Sequence, residues 1–104
     1  MAEVERSDAR QWDIGTWIEV DLGEDMSATT SRYIAYVKPD GTSGKWPAAL
    51  RPEPTRIGYQ TIAGDLNVEG SWLVQGWARS GGGAWTTRLG YLQVERVLVH
   101  ITED

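Results

Sequence analysis

The chain has 104 residues, 40% of them hydrophobic, with twelve glycines, six tryptophans, no phenylalanine and no cysteine. This length suits one domain that buries a core without metal or disulfide help, and the lack of cysteine excludes disulfides and thiolate chemistry. The net charge is −5 and the ten basic residues are scattered, so no cationic stripe exists to track a phosphate backbone and no nucleic-acid partner is expected.

The N-terminus lacks the apolar run of a signal peptide. No segment reaches the length of a membrane span, so no membrane partner is expected either. Residues 1–14 are polar at first and read as an N-terminal arm or peripheral segment, with Trp12 and Ile14 as its anchor. Residues 15–104 read as a single β-sandwich domain.

Residues 16–22 alternate: Ile18, Val20 and Leu22 fall on one face, and Trp17, Glu19 and Asp21 on the other, the pattern of a half-buried strand. Glu24 and Asp25 follow in a loop. Their spacing from Asp21 does not fit an EF-hand, so the loop is solvated rather than a calcium site. Residues 31–37 form a second strand. Ile34 and Tyr36 share a face with Arg32, while Tyr33, Ala35 and Val37 share the other, so apolar residues on both faces place this strand centrally. Lys38-Pro39-Asp40-Gly41-Thr42 is a hairpin signal, with proline setting φ and glycine at the left-handed position. Residues 43–49 carry Trp46 and Ala48 on one face, and Pro47 makes this an edge strand. Residues 50–54 connect to a short strand with Ile57, Tyr59 and Thr61 on one side. Residues 62–70 form a turn that crosses between sheets.

Residues 71–80 make the longest strand. A four-residue loop at 80–83 would pair Arg79 with Ala84 and Ala78 with Trp85. That parity predicts Trp72, Val74, Ala78, Trp85 and Leu89 inward, with Tyr91 on the same surface. The parity changes later, at Glu95-Arg96, which predicts a bulge or bend there. The three glycines at 81–83 join two strands and lack the Lys-Ser/Thr of a phosphate loop, so they read as a turn requiring positive φ. The whole pattern predicts an all-β, immunoglobulin-like antiparallel sandwich of seven to eight strands.

Chemistry is sparse. His100 is the sole histidine and has no nucleophile or orienting acid near it in sequence, so it reads as a strand-surface residue. One histidine and no cysteine argue against zinc. No carboxylate stands in a distinctive setting. No catalytic, cofactor-binding or metal-ligating residue is assigned, and the chain is read as a non-enzyme without cofactors. Exposed tryptophans mark contact surfaces. Trp12, Trp17, Trp77 and Arg79 are therefore the candidate partner contacts, with subunit contact preferred over stacking on a sugar.

The run of Lys38-Pro39-Asp40-Gly41-Thr42, Trp46, Ile57-Gly58-Tyr59, Gly64-Asp65-Leu66, Gly70 and Trp72, and Val74-Gln75, together with Asp21-Leu22, resembles small immunoglobulin-like proteins of tailed bacteriophages. It is most similar to the N-terminal domain of the phage baseplate upper protein family, over residues 16–95. That resemblance implies a structural component of a virion, in the tail, baseplate or fibre attachment. Its partners would be other virion proteins in a symmetric assembly of multiple copies. The alternatives are a head decoration or head-fibre protein on the capsid, and a carbohydrate-binding module. The motifs are turn and core motifs and speak to fold more than to role.

Overall fold

A computed structural model describes residues 7–87 and 89–98. His100, Ile101 and residues 102–104 lie outside the described residues, as do residues 1–6. The described chain is all-β and forms a sandwich of two sheets. Nine strands run in order: β1 (Ser7–Arg10), β2 (Trp17–Asp21), β3 (Ser31–Val37), β4 (Ser43–Pro47), β5 (Ala49–Leu50), β6 (Arg56–Gln60), β7 (Gly70–Ser80), β8 (Gly83–Thr86) and β9 (Gly90–Glu95). The larger sheet has the order β1-β9-β7-β3-β4, with β8 also on β7; the smaller is β2-β6-β5. The count exceeds the expected seven to eight because residues 7–10, within the segment read as an arm, pair in parallel with β9, and because two-residue β5 joins β6.

The alternation in the sequence becomes burial. Ile18, Val20 and Leu22 are buried from one side and Ile34 from the other. Strand β3 lies between β4 and β7, the central position its two apolar faces call for. At the hairpin after β3, the Lys38 amide donates to Thr42 O at 2.8 Å and the Gly41 amide to Lys38 O at 2.9 Å. Gly41 sits at φ 90°, a conformation that L side chains rarely adopt. Strand β4 then runs along the sheet edge, as Pro47 requires.

An aromatic stack joins the two sheets. The Trp46 ring lies 4.4 Å from that of Tyr36 on its own sheet and 5.1 Å from that of Tyr59 on the smaller one, nearly parallel to the latter at 6°. Trp72 is fully buried beside it and donates its indole N–H to Val68 O at 2.9 Å. Tyr59 in turn donates to Asp65 Oδ2 at 2.7 Å, and the same oxygen accepts from the Ile62 amide. Asp65 thus pins the crossing turn to the strand it leaves. Burial, with the Asp65 bond and charge adding to it, pushes the Tyr59 phenol up to about 12.

The hairpin at the end of β7 has the expected even parity. Arg79 pairs with Ala84 and Ala78 with Trp85. Trp72, Val74 and Ala78 point inward and Trp85 packs against the core. Two expectations need correction. Leu89 and Tyr91 are 63% and 57% exposed rather than buried. The cause is a one-residue slip: β8 meets β7 as Ala78↔Trp85, but β9 meets it as Trp72↔Leu92. One extra residue stands between β8 and β9, so inward positions change from odd to even. The slip falls where Thr87 leaves the ladder and binds Gly76 at both its amide and its hydroxyl, at 3.0 and 2.9 Å. This parity change, ahead of β9, is one that the sequence pattern did not predict. The loop glycines Gly81 and Gly82, in turn, do not take the positive φ expected of them.

Candidate functional site

The outer face of the larger sheet carries a concave, largely apolar surface. Strands β3 and β7 lie side by side with Tyr33 opposite Trp77, Ala35 opposite Gln75 and Val37 opposite Leu73. Strict alternation turns these six away from the core, because Ile34 and Gly76, between them in sequence, face inward. Tyr33 and Trp77 rings tilt against each other at 5.8 Å and 38°. From β4, the Lys45 ammonium stands 4.4 Å from the Tyr33 ring centroid, a cation–π contact at an accessible site.

Two adjoining grooves run along this face. One, of about 270 Å³, is lined by Tyr33, Ala35, Lys45, Gln75, Trp77 and Thr86. The other, of about 280 Å³, includes Ala35, Val37, Leu73, Gln75 and Leu89. They share Ala35 and Gln75, so together they form one trough with an aromatic end and an aliphatic end. The short Ala35 side chain keeps the middle low. Gln75 is held across it by its Nε2 donating to Thr87 O at 2.8 Å. Among the described residues no carboxylate, thiol or imidazole lines either groove, and Lys45 is the one formal charge in the lining. The trough offers stacking, apolar contact and one cation, and no pair of groups placed to move a proton.

The expected contact residues divide between surfaces. Trp77 and Arg79 project from the same outer face of β7, with Trp77 half-buried against Tyr33 and Arg79 exposed. Trp17 lies in the other sheet, 39% exposed, with the Arg51 guanidinium 3.7 Å from its ring centroid. Trp12 stands apart from both, at φ 69°, its amide donating to Leu66 O at 2.7 Å. The structure therefore joins Trp77 and Arg79 and separates Trp17 and Trp12 from them. Tyr33, Ala35, Lys45 and Gln75 were not singled out. Alternation had placed Tyr33, Ala35 and Val37 on one face, but the pairing of β3 with β7 that brings Trp77 beside them joins strands far apart in sequence.

A second concavity, of about 330 Å³ beside β1, is lined by Ala9, Arg10, Asp13 and Glu95. Its charges are mutually engaged: Arg10 pairs with Glu95 at 3.8 Å, and Asp13 Oδ2 accepts from the Arg10 amide and the Thr16 hydroxyl. Among the described residues no group of three or more histidine, cysteine, aspartate or glutamate side chains could hold a metal ion.

No family model matches the sequence, and no curated protein matches it. Among solved structures, the chain is similar to CopC from Methylosinus trichosporium OB3b. The TM-score is 0.60 at 10% identity, covering 98% of this chain and 100% of that one. A likeness at this identity speaks for the sandwich fold. It also corrects the role expected from the phage resemblance. The motifs behind that expectation build turns and core, and the sandwich they build is one that CopC shares, so they carry the fold and not a place in a virion. The tail, baseplate and fibre-attachment role, with its head-decoration alternative, is accordingly set aside.

Proposed function

We propose that this chain is a non-enzymatic binding module that docks a segment of another protein in the trough between Tyr33–Trp77 and Leu73–Leu89. The observation behind this reading is the trough itself: an aromatic and aliphatic surface on a sheet, uncovered among the described residues, with Val37 and Leu89 39% and 63% exposed. Such a surface excludes water from an apolar partner and favours anchors of the tryptophan and tyrosine type. The charge pattern selects the occupant. The chain as a whole carries −5, yet the charge that the described residues bring to the trough is the cation of Lys45. An apolar segment with an acidic residue beside Lys45 is the complementary partner.

Selection of a random peptide library against the folded chain tests this. Binders should be apolar with an acidic residue, and their contacts, read from backbone-amide NMR shifts, should fall on Tyr33, Ala35, Gln75 and Trp77. Trp77→Ala should abolish their binding. Binders that map elsewhere, or that tolerate Trp77→Ala, would overturn the reading.

A further inference from the structure

The edges of the two sheets are protected unequally. On β4 the bonds Lys38 N–H to Thr42 O and Ala48 N–H to Arg32 O set the phase of the ladder with β3. Ser43, Lys45 and Pro47 then face the open side, where proline has no N–H to offer and lysine resists a neighbouring strand. Strand β5 has two residues, β8 and β1 four each. Strand β2 has five, Trp17–Asp21, with neither proline nor lysine. The bonds Leu22 N–H to Thr55 O and Thr61 N–H to Thr16 O set its phase against β6. Ile18 and Val20 therefore spend their backbone groups on β6. Trp17, Glu19 and Asp21 direct theirs outward, and no backbone partner meets them among the described residues.

The side chains along this edge are ordered. Arg51 stacks on Trp17 and pairs with Glu19; Arg56 stands 4.0 Å from both Glu19 and Asp21. Both arginines follow β4 in the chain and approach from the β5–β6 side of the sheet. Gly58 makes room for this: a Cβ there would lie 2.9 Å from Arg51 Cδ and 3.2 Å from Glu19 Cγ. Just beyond the strand, Glu24 and Asp25 are exposed.

We infer that β2 is a strand-addition site, and that its occupant is an extended segment of a different protein with basic side chains beside Glu19 and Asp21. Backbone bonds to Trp17, Glu19 and Asp21 supply the docking, and the alternate side chains supply the choice of partner. A second copy of β2, laid antiparallel so that all three residues bond, would set Glu19 against Glu19. Like charges directly opposite are unfavourable, so the edge is closed to itself and open to a cationic strand. This inference does not depend on the trough, which lies on the other sheet.

Three capped peptides test it against the intact chain: an alternating Lys-Val peptide, its Glu-Val counterpart, and the Lys-Val peptide N-methylated on one edge. The Lys-Val peptide should slow amide hydrogen exchange at Trp17, Glu19 and Asp21, leaving Tyr33 and Trp77 unchanged. The Glu-Val and N-methylated peptides should not. Glu19→Pro, which removes an outward N–H and no bond to β6, should weaken the Lys-Val peptide about tenfold or more. Equal binding of all three peptides would overturn the inference, and so would protection confined to the trough. Dimers of the free chain in sedimentation, with the same three amides protected, would overturn it in favour of a second copy.

Discussion

Gly76 on β7 lies directly against Val20 on β2. A Cβ on Gly76 would stand 2.5 Å from Val20 Cγ2 and 3.1 Å from Thr87 Cγ2. The two sheets pack tightly here, and the same backbone holds Thr87 at the slip between β8 and β9. Gly76→Ala should therefore destabilise the fold by about 1–3 kcal/mol through overpacking. Gly82→Ala, with open space at its Cβ, should stay within about 0.5 kcal/mol of the parent. Urea denaturation of the two variants checks the contrast.

The two tryptophans of β7 on opposite faces should separate stability from binding. Trp72 is fully buried, and its replacement by alanine should cost about 3–5 kcal/mol, a large share of a domain's total stability. Trp77 lies outside the core, so Trp77→Ala should leave the fold cooperative while removing trough binding. Thermal unfolding followed by circular dichroism distinguishes them: a collapsed transition for Trp77→Ala would mean that the outer face is part of the core's support.

Tyr59 should make the fold sensitive to alkali. Its phenol titrates near 10 in the unfolded chain and is pushed up to about 12 in the fold, first by burial and then by the bond to Asp65. A raised folded value means that the stabilisation is fully present below pH 10 and is lost as pH climbs from about 10 through about 12. Tyr59→Phe should flatten this part of the stability profile, measured by denaturation at stepped alkaline pH.

Pro47 should guard the β4 edge. Its nitrogen faces the open side of the ladder, opposite Tyr33 in a pair that does not exchange bonds. Pro47→Val restores an outward N–H beside an apolar sheet. The variant should aggregate faster on mild heating, seen as light scattering that rises with concentration. Scattering equal to the parent's would show that Lys45 alone protects this edge.

Much of the fold was legible because alternation is a local signal. Ile18, Val20 and Leu22 declared their buried face, Gly41 its turn, and the parity of the 80–83 loop placed both Trp72 and Trp85 correctly. Parity fails wherever a residue is inserted without a mark, and Thr87 is such a place: a threonine on a strand looks ordinary until its hydroxyl is seen to replace a ladder partner. The candidate surface was legible only in part. Trp77 and Tyr33 each sat on a known face, but their meeting depends on which distant strands are neighbours, and no periodicity encodes that. The turn and core motifs misled about role because proline, glycine and buried tryptophan here build the sandwich and say nothing of its partner.

The parallel pairing of β1 with β9 has a mechanical consequence. Ser7 lies opposite Leu92 and Arg10 opposite Glu95, so the start of one strand and the finish of the other sit at opposite ends of the pair. Tension applied to the chain at Ser7 and at Glu95 would load every bond between them at once, in shear, rather than peeling them open in sequence. A module stretched between two attachments would resist there first.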